Sequence, residues 1–259
     1  MEIQYISDRW SSNIPIRDQQ REETGGMSRL KAVLAIQDMD SLRLLRANLR
    51  AAGYEIATAP GGQHILSSIS EDYGDILVVG EALPDIAGLE FLRLLRTKSN
   101  VPVVMMGREE ASAGVVAALR AGADDFLAYP YSTDEFFARV AALMRRIGRE
   151  TLRTEDGKKK VGSIIIDMSQ RQVIIKGKAT PLTPTEFKLL VYMAERPDQV
   201  ISHKELLVHV WGEEYGNYVH YLRVGIGRLR QKIEKDPASP IYLVTCSGVG
   251  YMLQDMVNR

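Results

Sequence analysis

From Leu30 to about Gly148 the chain alternates short apolar runs with amphipathic stretches of helical period, and few folds accept that pattern. Val33-Leu34-Ala35-Ile36, Ile76-Leu77-Val78-Val79 and Val101-Pro102-Val103-Val104-Met105-Met106 lack the apolar/polar alternation of a half-exposed strand. They read as strands buried on both faces of a parallel sheet. Between them Leu42, Leu45 and Leu49 recur at helical spacing, as do Leu89, Leu92 and Leu95. Gly53 and Gly122 stand where helices should stop, and Ser132 with Glu135 forms a capping box that opens a last helix to about Arg146. Five such βα units predict an α/β domain built on a doubly wound, parallel, five-stranded sheet of the flavodoxin-like kind. Its functional crevice is expected at the carboxyl ends of the strands.

The second half follows a different pattern. Val161 to Leu182 alternates as short strands, with Gly177 in a turn. Thr183-Pro184-Thr185-Glu186 combines a Thr cap, Pro at the first helical position and Glu three residues on, three coincident signals for a helix start. Ser202 to Glu205 repeats the box. A long helical pattern runs from about Asn217 to Lys235, with Leu222, Ile226, Leu229 and Ile233 on one stripe. Ile241 to Leu253 closes the chain as two short strands around Ser247-Gly248-Val249-Gly250. Strands, three helices and a terminal hairpin make a winged helix-turn-helix.

The 259 residues therefore divide into a mobile extension over 1–28, an α/β domain over 29–148, a charged linker over 149–160 and the winged helix over 161–255. Met27 is a second candidate start. The extension is polar, without the apolar stretch of a signal peptide. With no apolar run of membrane-spanning length and one Cys, the expected home is the cytoplasm. Zero net charge hides an asymmetry: residues 1–148 hold 16 Lys and Arg against 20 Asp and Glu, and residues 149–259 hold 17 against 13. An acidic half joined to a basic half fits a regulatory domain tethered to a nucleic-acid binder.

Asp75-Ile76-Leu77-Val78-Val79-Gly80-Glu81-Ala82-Leu83-Pro84-Asp85-Ile86-Ala87-Gly88 resembles the central strand and loop of the receiver domain of bacterial response regulators. The resemblance implies metal-assisted phosphoryl transfer to an aspartate, which needs two further acids for Mg²⁺, a hydroxyl and a Lys. Carried over by position, the acid pair falls on Gln37 and Asp38, and the acceptor on Gly80. The hydroxyl position falls on Gly107, and the Lys on Tyr129. Of the five, Asp38 alone keeps its type, so neither phosphorylation nor Mg²⁺ is expected. Glu81 is adjacent to the acceptor, but alternation along a strand should aim it away from the pocket. The two glycines vacate volume, into which Tyr129 either folds or fails to fold, lying instead on the surface. The family's signalling aromatic is Phe126, which is otherwise simple strand core. Dimerisation in this family uses ion pairs on the last helix and the face beside it, a pattern matched by Asp124, Asp125, Glu135 and Arg139. The basic partner position on the preceding helix falls on Val115.

His220-Tyr221-Leu222-Arg223-Val224-Gly225-Ile226-Gly227-Arg228-Leu229-Arg230-Gln231-Lys232-Ile233-Glu234, followed by Gly248-Val249-Gly250-Tyr251, resembles the winged-helix domains of the OmpR/PhoB family. Leu182 to Phe187 and Val210-Trp211-Gly212 support it, and the His-Tyr-Leu-Arg opening is similar to the KdpE branch, which controls potassium uptake. With the stripe from Leu222 to Ile233 buried, Tyr221, Arg223, Val224 and Arg228 are expected to face a major groove, where Arg reads guanine and Val a thymine methyl. His220, Arg230, Lys232 and the helix start at Thr183 are expected at phosphates, with Thr245 on the wing. Gly225 and Gly227 cost the helix about 1 kcal/mol each against Ala. Ser247 stands where the wing often carries Arg. The loop from Trp211 to Gly216, with Glu213 and Glu214, matches the one family members use to touch RNA polymerase. Trp211 itself is expected as a core anchor, and Cys246 as an inert strand residue.

The expected function is a sequence-specific, phosphorylation-independent transcription factor with a degenerate receiver, bound to promoter operators as a homodimer. The rival is a regulator whose vacated receiver pocket binds a small molecule or a partner protein. An enzyme is not expected, since no nucleophile–base pair stands out, nor is any cofactor or metal.

Overall fold

The computed structural model describes residues 30–69, 73–108, 112–148 and 157–255. The extension over 1–28 and most of the linker, 149–156, lie outside them. The chain forms two compact units, Met1–Gly148 and Arg149–Arg259.

In the first unit the strands are β1 (Lys31–Ala35), β2 (Glu55–Thr58), β3 (Ile76–Gly80), β4 (Val103–Gly107) and β5 (Asp125–Ala128). They form a parallel sheet in the order β2-β1-β3-β4-β5. The helices are α1 (Met39–Ala51), α2 (Gly62–Ser68), α3 (Gly88–Arg96), α4 (Ser112–Ala121) and α5 (Thr133–Gly148). The apolar runs are continuous because the sheet is covered on both sides. Ala32, Leu34, Ile76, Val78, Val104 and Leu127 pack on Leu45 and Leu49 of α1 and Phe136, Val140 and Leu143 of α5. Val33, Ala35, Leu77, Val79, Val103 and Met105 pack on Ile65, Phe91, Leu92, Leu95 and Ala118. Gly53 and Gly122 end their helices at φ 88° and 127°, a region that costs other residues dearly. Pro102 precedes β4 rather than lying within it. Its carbonyl accepts the Leu77 N–H at 2.8 Å, but without an N–H of its own it cannot extend the ladder.

The second unit opens with an antiparallel sheet, β6 (Lys158–Val161), β7 (Ile164–Asp167), β8 (Gln172–Ile175) and β9 (Lys178–Pro181). Lys158 to Lys160, expected in the linker, pair with β7 instead. A lysine run suits an edge strand because charge discourages further pairing. Then come α6 (Pro184–Ala194), β10 (Ile201–Ser202), α7 (His203–Val210), a 3₁₀ turn (Glu213–Tyr215) and α8 (Val219–Ile233). The hairpin β11 (Leu243–Cys246) and β12 (Gly250–Leu253) completes a sheet in the order β10-β12-β11. The cap at Thr183 forms as a full box: the Thr183 hydroxyl accepts the Glu186 N–H, and Glu186 accepts the Thr183 N–H. Trp211 and Tyr215 are buried between α7 and α8 and pack edge-on against Tyr221.

Candidate functional site

The carboxyl ends of β1, β3, β4 and β5 carry the five positions singled out in the sequence. Gly80 ends β3 in register with Met106. One residue on, the Glu81 N–H still donates to the Met106 carbonyl at 2.7 Å, and the Glu81 carbonyl accepts the Gly88 N–H at 3.0 Å. A Cβ on Gly88 would stand 2.7 Å from that carbonyl, so the loop closes only over a bare backbone.

The Glu81 side chain turns into the pocket rather than away from it. Its Oε2 accepts the Arg108 N–H at 3.2 Å and overlies the place a Gly107 side chain would fill. The expectation that strand alternation would aim it elsewhere fails because Glu81 lies beyond β3. The buried Phe126 ring lies on the same space, within 2.9 Å of a Gly107 Cβ. Tyr129 takes the surface alternative: it is 55% exposed and packs edge-on against Tyr131. Asp38 caps α1, its Oδ2 accepting the Ser41 N–H at 2.8 Å. Hydrogen bonds from Ser41 hold its carboxyl below the usual range, with a smaller contribution from the Arg108 charge.

A divalent cation of the kind a receiver implies takes several oxygen ligands, carboxylates foremost. Gln37, Gly80, Gly107 and Tyr129 supply no carboxylate, Asp38 is committed to its helix, and Glu81 to the Arg108 N–H. The residues present do not fit such an ion. Among the described residues no three His, Cys, Asp or Glu converge.

Asp124 and Asp125 are buried and paired within the chain. The Arg96 guanidinium donates to Asp124 at 2.8 Å and to the carbonyls of Gly122 and Val101, while Asp124 also accepts the Val103 N–H. Arg139 on α5 bridges Asp125 at 3.1 Å and Glu135 at 2.8 Å. Glu135 and Arg139 alone of the four expected dimer residues keep exposed side-chain surface; Asp124 and Asp125 have none.

In the second unit α8 shows Arg223, Gly227 and Gln231 along one side and buries Leu222, Ile226, Leu229 and Ile233 on the other. Tyr221 and Val224, expected to face outward, are 3% and 8% exposed. The aromatic cluster of Trp211 and Tyr215 packs edge-on against Tyr221 and widens the buried face to include it. Arg228 and Lys232 both turn to Glu186, at 3.0 and 2.7 Å. Burial alone would raise the Glu186 pKa; the Arg228 and Lys232 charges and the Lys232 hydrogen bond outweigh it and lower it. Arg230 donates to the Leu243 carbonyl and to Thr245 Oγ1, which ties the helix to the wing. Thr183 is wholly buried in its capping box, so its side chain meets no phosphate. His220 is half-buried, and desolvation lowers its pKa. Thr245 and Arg223 are exposed.

Sequence reasoning missed two hubs, Glu186 as a partner for two cations and Arg96 as the clamp on Asp124. The four-residue spacing of Arg228 and Lys232, which puts both on one helix face, was the available signal for the first.

The model of the response regulator receiver domain matches residues 33–141, and that described as transcriptional regulatory protein, C terminal, matches residues 177–253. The transcriptional regulatory protein KdpE of Mycobacterium tuberculosis is 37% identical over 223 residues, 86% of this chain and 98% of that protein. The chain is a response regulator of the OmpR/PhoB type. The KDP operon transcriptional regulatory protein KdpE of Escherichia coli is 34% identical over 220 residues, 85% of this chain and 97% of that protein. A RitR mutant structure superposes with a TM-score of 0.71 over 87% of this chain and 99% of that one. Its 22% identity speaks to the fold alone. As a response regulator of this type the protein is a DNA-binding transcriptional regulator, with DNA as its partner. Among the described residues no helix is long and apolar enough to cross a membrane.

Proposed function

We propose that this response regulator controls promoters without being phosphorylated, as a cytoplasmic homodimer that reads its operator through α8 and touches RNA polymerase through the loop from Trp211 to Gly216. The observation that carries the proposal is Gly80: the position the receiver resemblance assigns to the phosphate acceptor has no side chain. The neighbouring geometry agrees with it. Asp38 serves as a helix cap, and the Glu81 carboxylate already holds the Arg108 N–H on the loop after β4. In place of a phosphoryl group that comes and goes, a fixed internal carboxylate holds the Arg108 N–H. Glu81 and Phe126 reach the space a Gly107 side chain would fill, space that the rival reading, a vacated pocket binding a small molecule or a partner protein, would need.

Self-association is assigned to the α5 face, where Glu135 and Arg139 keep exposed surface. Asp124 and Asp125 act there by fixing Arg96 and Arg139, not by touching a partner. Glu213 and Glu214 are the exposed acids of the polymerase loop. For DNA, Arg223 is the base-reading residue and His220, Arg230 and Thr245 flank it toward the backbone. Arg228 and Lys232 set the helix in place through Glu186. The test is intact-mass analysis after acetyl phosphate with Mg²⁺, beside binding titrations on an operator selected from random duplexes. An unmodified protein that binds its operator equally before and after treatment is expected; an acid-labile phosphoryl adduct on the receiver would overturn the proposal.

A further inference from the structure

Two glycines interrupt α8, and the structure separates their reasons. Gly225 is buried: a Cβ there would stand 3.3 Å from Trp211 Cη2 and 3.5 Å from Leu189 Cδ2, so packing accounts for it. Gly227 has no such account. It lies in mid-helix with ordinary helical backbone, and a Cβ added there meets nothing within 4 Å. Alanine would fit and would strengthen the helix, because glycine is the poorest helix former after proline. Nothing within the fold requires this glycine.

Its surroundings point outside the fold. Gly227 sits midway between Arg223 and Gln231, one helical turn from each, on the exposed side of α8. It is thus at the centre of the surface that enters the major groove, flanked by a long cation and a long amide. We propose that Gly227 is a specificity-determining residue: its bare backbone lets α8 approach one base pair more closely than any side chain would allow. Arg223 and Gln231 then straddle that base pair. This rests on the reading of DNA by α8 proposed above. The chemical partner is a base-pair edge whose bulk, such as a thymine methyl, fills the space a Cβ would take.

The experiment uses the full-length protein, a duplex selected by it from a random pool, and a scrambled duplex of equal length. Gly227→Ala should raise the melting temperature by a few degrees and yet weaken binding to the selected duplex by about tenfold. A larger loss is expected for Gly227→Gln, up to about a hundredfold, the scale of one lost base-pair match. Binding to the scrambled duplex should be unchanged. Repeating the selection with Gly227→Ala should alter the preference at one base pair between those set by Arg223 and Gln231. Gly225→Ala should do the reverse, lowering the melting temperature with the preference intact. Gly227→Ala that binds the selected duplex as tightly as the wild type, with the same preference, would overturn the inference while leaving α8 as the reading helix. If Arg223→Ala also leaves specific binding intact, the reading by α8 falls, and this inference with it.

Discussion

At the carboxyl ends of β3 and β4 the strands and loop of a receiver are in place, and both strands end on glycine, Gly80 and Gly107. Along α8 the charged side chains are present and most are committed to the scaffold. The loop after β3 closes tightly over Gly88, and β5 delivers Phe126 to the same place, while Gly80 and Gly107 carry no side chain and Tyr129 lies exposed. On α8, by contrast, Arg228, Arg230 and Lys232 fasten the helix to α6 and to the wing, and Arg223 is the exposed arginine. Geometry without chemistry at one end and chemistry absorbed into geometry at the other teach the same lesson. A residue type at a familiar position says little until its partners are known.

The comparison breaks most visibly at Glu186. Removing it takes the buried carboxylate from beneath Arg228 and Lys232, both of which keep some exposed surface, and losing hydrogen bonds to a charged group costs about 1.5–3 kcal/mol. Glu186→Ala should therefore lose about that much stability of the second unit in chemical denaturation. Its pH dependence has a definite sign. A carboxylate held below its unfolded pKa contributes stability that is fully present above the unfolded value and lost as pH falls through the folded one. Glu186→Gln should flatten that acid limb. A wild-type-like denaturation curve for Glu186→Ala would show that the two cations do not depend on it.

Arg223→Ala comes next, with a loss of about 1–3 kcal/mol on the specific duplex and relaxed selectivity at one base position. Arg230→Ala cuts the tie between α8 and the wing and should weaken matched and scrambled duplexes alike. Titrations on the two duplexes separate these effects. Equal losses on both duplexes for Arg223→Ala would place the reading face elsewhere on α8.

A smaller effect is expected at the α5 face. Glu135→Ala leaves the Asp125–Arg139 pair in place and should weaken self-association by about 0.2–1 kcal/mol, the scale of one exposed ion pair. Sedimentation equilibrium checks it, and a protein that is monomeric at tens of micromolar would remove this face as a dimer contact.

The smallest expected effect is none at all. Gly80→Asp restores a carboxylate, but Asp38 remains its helix cap, Glu81 remains on the Arg108 N–H, and the variant gains no hydroxyl at Gly107 and no Lys at Tyr129. Treatment with acetyl phosphate and Mg²⁺ should leave its intact mass unchanged. An adduct on this variant alone would mean that the pocket lacks only its acceptor.

Periodicity was enough to place the sheet, because continuous apolar runs have one inexpensive solution, burial on both faces between helices. The caps at Thr183 and Ser202 were equally legible, since each is a local bond between residues three apart. The residues at the carboxyl ends of β3 and β4, Gly80 and Gly107, could be read as letters, with Pro84 and Gly88 fixing the loop between. Tertiary structure decided the rest. Glu81 enters the pocket because the strand ends one residue before it. Tyr221 is buried because Trp211 and Tyr215, from a preceding turn, extend the covered face of α8. Arg228 and Lys232 are committed because a glutamate more than 40 residues earlier lies beneath them. The sequence determines which groups a chain carries and the local bonds it can make. Only packing decides which charges meet each other and which remain for DNA, because that depends on distances in space that sequence separation does not measure.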